Sequence, residues 1–181
     1  MANFLSRIFR FGKKRSSEAS NVPELIQLCQ FEKDLDALLL SDKYIARSDY
    51  KDLIEKNASL YEQFKVLYDS NKLEYFCRDY GVQTERFNHF LSIYEDLTRD
   101  ENSANINAHN EKFLSDQLVS EKSYLDEILS EVDSNIKLDD EQRKVVLWDE
   151  DYTLVIAGAG AGKTTTVSAK VKYLVERKGI R

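Results

Sequence analysis

The residues best suited to chemistry lie in one stretch near the end of the sequence, TLVIAGAGAGKTTTV at 153–167. Its apolar and β-branched beginning, Thr153–Ala157, predicts a buried strand, and the small residues at 158–162 predict a tight turn. Lys163 and Thr164 then begin a predicted helix. A strand, a glycine-rich turn, a lysine, a hydroxyl residue and a helix in this order predict a phosphate-binding loop.

Each part of such a loop has a physical role. Glycines let main-chain N–H groups turn inward around phosphate oxygens, and the positive end of the helix dipole faces the anion. Lys163 would neutralise the β- and γ-phosphates, and the hydroxyl of Thr164 would bind Mg²⁺. The motif's first glycine position is occupied by Ala157, whose small side chain still permits the turn. The predicted phosphate-binding residues are Ala157, Gly158, Ala159, Gly160, Ala161, Gly162, Lys163 and Thr164.

A second candidate, Gln142, lies in the segment before the loop. Leu138 to Trp148 predict a short helix with Asp139 as its N-cap residue. Gln142 would occupy the third helical position, from which its amide can reach back and close a capping box. The same amide has a donor and an acceptor end and could instead contact the edge of an adenine. Spacing alone leaves the structural and the nucleotide-binding interpretation equally open.

The rest of the chain predicts helices, and the chain as given is expected to be mainly α. Between Gly12 and Gly158 there is one glycine, Gly81, and one proline, Pro23. So few helix breakers, with apolar residues at three- and four-residue spacing, favour helices throughout. They are predicted to begin near Asn21, after Ser48, at Leu73, at Thr84 and near Ala108, the last running to about Glu131 after a polar loop at 100–107.

The net charge of −6 is distributed unevenly. Residues 1–15 carry five basic side chains and no acid, whereas residues 138–181 carry eight basic and seven acidic ones. Residues 16–137 therefore carry −12. Because DNA is a polyanion, this acidic segment is a poor candidate for a phosphate-backbone surface.

The N-terminal segment 1–20 combines those basic residues with an apolar helical face. One interpretation is an amphipathic anchor through which residues 1–15 contact an anionic membrane or a partner's groove. The other is a solvated basic tail. No run approaches the roughly 20 apolar residues that span a bilayer. Cys29 and Cys77 stand apart without metal-ligand spacing, which favours buried thiols in a reducing cytoplasm.

Together, LDDEQRKVV and DYTLVIAGAGAGKTTTVSAKVKYLVERKGI resemble the start of a UvrD/Rep-like superfamily 1 DNA helicase. In that family a glutamine motif precedes the phosphate-binding loop at a similar spacing, and the loop commonly begins with alanine, as at Ala157. The resemblance implies that Gln142 contacts adenine. Thr165 stands where well-known members often place an arginine near the base. The stretch HNEKFL, His109–Leu114, is more loosely similar to the helical lead-in of helicase IV-like members.

The resemblance implies two RecA-like lobes that hydrolyse ATP with Mg²⁺ and move along single-stranded or partly duplex DNA. On this view the chain looks like the N-terminal portion of a helicase, with a tail at 1–20, an acidic helical accessory domain at 21–137 and the start of the ATP-binding domain at 138–181. That last segment would be the first strand–loop–helix unit of a RecA-like α/β core.

Hydrolysis also needs a second acidic Mg²⁺ anchor and an arginine finger. Neither can be assigned in this sequence, so we expect this piece alone not to turn over ATP at a useful rate. A protein partner for the helical region is left open. The alternative to a helicase is an acidic helical interaction module with a vestigial phosphate-binding loop.

Overall fold

A computed structural model of the chain describes residues 22–99 and 103–180, and within them the protein is mainly helical, as predicted. The predicted tail at 1–20 lies outside the described residues. The eight helices of the described part are α1 (Pro23–Leu39), α2 (Arg47–Asp69), α3 (Leu73–Tyr80), α4 (Thr84–Leu97), α5 (Ala104–Ser120), α6 (Lys122–Glu127), α7 (Asp140–Leu147) and α8 (Lys163–Glu176).

The strand predicted at Thr153–Ala157 is not formed, and neither described range contains any β-strand. A strand requires a neighbouring strand to take up its main-chain hydrogen bonds, and none is available in those ranges. The segment is instead irregular and largely exposed, with Leu154 at 85% and Ile156 at 88% of full exposure. The α/β part of the predicted fold is therefore not seen in this structure.

The described residues separate into two compact units. The first holds the described residues up to Leu40 and those from Ser48 to Asn105. The second holds Ser41–Arg47 together with the described residues from Ile106 onward. The domain boundary predicted at 137/138 rests on sequence motifs and stays a prediction. What the motifs did not indicate is that residues 106–137 fold into one compact unit with the segment that contains the loop.

Aromatic side chains form much of the core of the first unit. Phe64 meets Phe87 edge to face with ring centroids 4.6 Å apart, and Phe31 meets Phe90 in the same way at 4.9 Å. All four rings are buried. Edge-to-face pairs of this kind add a specific electrostatic attraction to the burial of apolar surface. The spacing of aromatic residues along α1, α2 and α4 thus reflects the packing of these rings in the core of the first unit.

Helix ends follow local signals in one place and a distant contact in another. Helix α3 ends at Gly81, as predicted, because this glycine adopts the left-handed conformation (φ 66°) that such a C-terminus requires. Helix α5 begins at Ala104, inside the predicted loop. The carboxylate of Asp96 accepts hydrogen bonds from the main-chain N–H groups of Ala104 (2.9 Å) and Asn105 (3.2 Å). The predicted helix from 108 to 131 also divides, since α5 ends at Ser120 and α6 at Glu127.

The core of the second unit joins the last three helices. Its buried members are Leu125, Ile128, Leu129, Leu138, Val146, Leu147, Ala169 and Tyr173. Segment 41–47 is fixed in the same unit by Asn110, whose side chain accepts from the N–H of Ile45 (2.8 Å) and donates to its carbonyl (2.9 Å). This pairing satisfies a buried amide. No helix of the described residues is long and apolar enough to cross a bilayer.

Candidate phosphate-binding site

The predicted loop leads directly into the N-terminus of α8. Its N-cap residue is Gly162, in the left-handed conformation (φ 74°), and Gly160 also has a positive φ of 79°. Glycine adopts this conformation without the steric cost that a Cβ would bring. The first main-chain hydrogen bond of the helix joins Thr166 N to Gly162 O (2.9 Å). The N–H groups of Lys163, Thr164 and Thr165 therefore have no acceptor within the helix.

In the described part of the chain, the start of α8 has neither a side-chain cap nor an acid in its first turn. Helices α1 and α4 also lack a side-chain cap, but their first turns contain Glu24 and Glu85. At α8 the first-turn N–H donors and the positive end of the dipole are both left for an external anion.

Lys163 closes the loop on itself. Its Nζ donates to the carbonyl oxygens of Ala157 and Gly158, each at 2.7 Å. The N–H of Ala161 also donates to the Gly158 carbonyl at 3.4 Å. The ammonium group is thus held at the loop by two neutral acceptors, which phosphate oxygens, being charged, would replace with stronger hydrogen bonds.

The three threonines after Lys163 differ in their surroundings. Thr164, the predicted Mg²⁺ ligand, is exposed, and Thr165 is half-buried. Thr166, which sequence reasoning missed, is buried, and its hydroxyl donates to the Gly162 carbonyl at 3.0 Å. Thr166 recurs with Ala169 and Tyr173 at helical spacing, so the apolar periodicity of α8 could have identified it as an inward-facing residue. Thr166 thus fixes the first turn of α8 against the core and against Gly162, the last residue of the loop.

Gln142 closes a capping box at the start of α7, so its structural interpretation is confirmed. The Asp139 carboxylate accepts from the N–H of Gln142 (2.8 Å), and the Gln142 side-chain oxygen accepts from the N–H of Asp139 (3.0 Å). The same amide also donates from Nε2 to the carbonyl of Ala161 (3.3 Å). A Cβ placed on Gly162 would lie 2.5 Å from that Nε2 atom. Gln142 therefore lies against the end of the loop.

Lys170 of α8 is a further residue that sequence reasoning missed. Its Nζ donates to the carbonyl oxygen of Val146 (3.0 Å) and to that of Trp148, at the C-terminal end of α7. Burial lowers the pKa of Lys170, while the nearby Asp149 opposes this shift. Lys178 pairs with Asp149 at 2.9 Å. With the Gln142 contact at the other end, α7 is fixed to the loop and α8 at both of its ends.

Polar contacts also join α8 and Arg177, the residue after it, to α6 and to the segment that follows α6. The hydroxyl of Tyr124 donates to the Glu176 carboxylate at 2.7 Å, and the Arg177 guanidinium lies 4.4 Å from the centre of the Tyr124 ring. Burial, followed by the hydrogen bond to Glu176, raises the pKa of Tyr124. Lys172 pairs with Glu131 at 2.9 Å. The helix that carries the candidate site is thus supported by residues upstream of the motifs.

Residues 138–181 match the family model described as the UvrD/REP helicase N-terminal domain. This segment is UvrD-like. The match covers α7, the loop and α8, the same residues on which the resemblance was based. It concerns only the N-terminal part of such a helicase. No curated protein and no solved structure matches the chain.

Proposed function

We propose that the UvrD-like segment binds ATP with Mg²⁺ and is the N-terminal nucleotide-binding part of an ATP-dependent DNA helicase or translocase. The observation that carries this proposal is the uncapped, acid-free N-terminus of α8, which follows a glycine turn and begins with Lys163. An anion at this terminus would gain unpaired N–H donors, a helix dipole and an ammonium group together. The match to the UvrD/REP family supports a nucleoside triphosphate as that anion.

Open space at two glycines of the loop supports this proposal. A Cβ added to Gly158 or Gly160 would meet nothing within 4 Å, so the main chain there is open to a ligand. We assign phosphate contacts to the loop from Ala157 to Gly162, including Ala159 and Ala161. Lys163 would exchange its two carbonyl acceptors for β- and γ-phosphate oxygens. The N–H groups of the first turn, with that of Thr165, would bind the same phosphates.

The metal site is assigned to Thr164. Thr164 is an exposed residue of the first turn of α8, and its hydroxyl would bind Mg²⁺ together with the phosphates. When bound, Mg²⁺ would neutralise the charge that accumulates on the β- and γ-oxygens. Gln142 lies against the loop and is assigned to the adenine edge. The capping box uses one lone pair of the Gln142 side-chain oxygen, and the Ala161 contact uses one N–H. One N–H and one lone pair of the amide remain for the base.

Movement on single-stranded DNA, hydrolysis and a cytoplasmic location follow from the helicase proposal. The second Mg²⁺ anchor and the arginine finger would come from outside residues 1–181, as would the DNA-binding lobes. An arginine finger alone is worth roughly 10³–10⁵ in rate. We therefore expect residues 1–181 to bind MgATP with little turnover.

Titration of the 181-residue chain with MgATP tests the proposal, and Trp148, the one tryptophan in the sequence, provides a fluorescence signal beside calorimetry. Lys163→Ala should weaken binding about ten- to a hundredfold, since hydrogen bonds to charged groups contribute about 1.5–3 kcal/mol. Lys172→Ala, on the same helix but paired with Glu131, is the matched control and should bind as the wild type does.

Two results would contradict the proposal. If wild type and Lys163→Ala bound MgATP with equal affinity, Lys163 would not contact the phosphates. A wild-type chain that binds no MgATP would favour the interaction module with a vestigial loop.

A further inference from the structure

Lys170 bonds to main-chain carbonyls where a lysine usually meets a carboxylate or water. The two carbonyls that accept from its Nζ, those of Val146 and Trp148, belong to the last turn and the C-cap of α7. Carbonyls at a helix C-terminus carry the negative end of the dipole and lack intrahelical donors. A partly buried ammonium group at this place therefore binds α7 strongly to α8.

This contact and that of Gln142 lie at opposite ends of α7. Gln142 is in the first turn and donates to Ala161 in the loop; Lys170 reaches the last turn from the third turn of α8. Val146 and Leu147, at the Lys170 end of α7, are buried in one core cluster with Ala169 and Tyr173 of α8. Helix α7 has only eight residues, so any displacement of its C-terminal end would be felt at Gln142 in its first turn.

We propose that Lys170 is a positioning residue for nucleotide recognition: by holding the C-terminal end of α7 against α8, it fixes the distance between the Gln142 amide and the phosphate-binding loop. The proposal rests on the proposed function, because it assigns Lys170 a part in selecting the base. Lys170 itself would not touch the nucleotide. Its effect would pass through Gln142 and would concern the base more than the phosphates.

A purely stabilising role for Lys170 makes a different prediction. Loss of stability alone would weaken every ligand of the site equally. A change in the distance between Gln142 and the loop would weaken the binding of ATP. It would leave the binding of inorganic tripolyphosphate, which has no base, unchanged. The ratio of the two dissociation constants therefore separates the two roles.

The experiment compares MgATP and magnesium tripolyphosphate binding to the full chain and its variants. We expect Lys170→Met to lower the preference for ATP about three- to tenfold, the scale of one hydrogen bond to the base. Lys170→Arg should restore most of it, because a guanidinium can also donate to two carbonyls. Lys172→Met is the charge-matched control and should keep the wild-type preference.

A double variant tests whether the effect of Lys170 on ATP preference depends on Gln142. If Lys170 acts through Gln142, Lys170→Met should lower the preference no further in a chain that already contains Gln142→Ala. Additive losses, or a wild-type preference in Lys170→Met, would overturn the proposal.

A ligand-free measurement separates this proposal from the proposed function. If the wild type bound neither ligand, the proposed function would fail, yet the side-chain amide resonance of Gln142 would still report its position. That resonance should move in Lys170→Met and stay in place in Lys172→Met. An unmoved resonance in Lys170→Met would show that Lys170 does not position Gln142.

Discussion

The N-termini of α7 and α8 present the same main-chain donors and opposite surroundings. At α7, Asp139 and Gln142 form a full capping box, and Asp140 and Glu141 add two acids to the first turn. At α8, a left-handed glycine stands at the N-cap, with neither a side-chain cap nor an acid. Both termini have a positive dipole end. At α7 the protein's own acidic and amide side chains interact with this positive end, whereas at α8 no cap or first-turn acid does.

The third helical position shows the difference most directly. In α7 it is Gln142, whose side chain reaches back to the N-cap N–H; in α8 it is Thr165, too short to do so. The start of α8 therefore lacks the stabilisation that a side-chain cap would give, about 1 kcal/mol, as a helix start that binds a phosphate would.

The largest effect is expected when α8 is given an acid of its own. Thr165→Glu should stabilise the chain by about 0.3–1 kcal/mol, because the carboxylate meets the helix dipole. It should also weaken MgATP at least about tenfold, since like charges close together repel by several kcal/mol at a near-surface dielectric. Thr165→Gln is the neutral control and should retain binding. Thermal unfolding and titration check both parts; tight ATP binding by Thr165→Glu would mean that the phosphates lie elsewhere.

A second prediction concerns the glycine at the N-cap. Gly162→Ala introduces a Cβ at positive φ and places it 2.5 Å from the Gln142 amide. We expect a loss of about 1–2 kcal/mol in stability from the left-handed conformation and about tenfold weaker MgATP binding, a factor worth 1.4 kcal/mol. Gly179→Ala has a similar φ of 68° with nothing within 4 Å, so it should lose stability but keep its affinity. Equal binding losses in both would assign the effect to general destabilisation.

Removing the cap of α7 should affect stability more than binding of phosphates. Asp139→Ala loses the acceptor of the Gln142 N–H and should lower the free energy of unfolding by about 1 kcal/mol. Asp139→Asn keeps an acceptor and should lose less. Urea unfolding measures the change, and tripolyphosphate titration should show similar affinity for both variants. An unchanged stability of Asp139→Ala would show that the two acids of the first turn are sufficient alone.

Sequence patterns predicted the features that depend on near neighbours. The order of loop, lysine and helix, the capping box of Gln142 and the end of α3 at Gly81 all arise within a few residues. The early start of α5 was missed because its cap, Asp96, is eight positions upstream. The part played by Lys170 was missed because its acceptors lie more than twenty residues away.

The prediction of a strand at Thr153–Ala157 was wrong for a related reason, because a strand also depends on residues distant in the sequence. Its residues have strand propensity, but a strand exists only with a neighbour, and the described residues provide none. Local strand propensity alone was therefore not sufficient to predict the structure of this segment.

The smallest effect is expected at α5, where a carboxylate of the protein occupies the helix start. Burial alone would raise the pKa of Asp96, but hydrogen bonds from Asn105, Ala104 and Ser103 outweigh it and lower the pKa below its ordinary value of 3.8. The unfolded chain therefore takes up this proton more readily than the folded one, so the contribution of Asp96 is complete above pH 3.8 and is lost as pH falls through the folded pKa.

Urea unfolding of wild type and Asp96→Asn at a series of pH values tests this sign. At neutral pH the wild type should be more stable by about 0.3–1 kcal/mol, the contribution of a negative charge at a helix N-terminus, because asparagine keeps an acceptor but loses that charge. The difference should shrink as the pH falls below the ordinary pKa value, because protonation removes the charge that the donors of Ser103, Ala104 and Asn105 stabilise. Asp69→Asn, which alters an exposed pair with Lys65 at 3.9 Å, is the control and should show no comparable change. A difference that stayed constant with pH would mean that the Asp96 side chain stabilises α5 by its shape and not by its charge. The parallel between this terminus and the proposed anion site of α8 would then be lost.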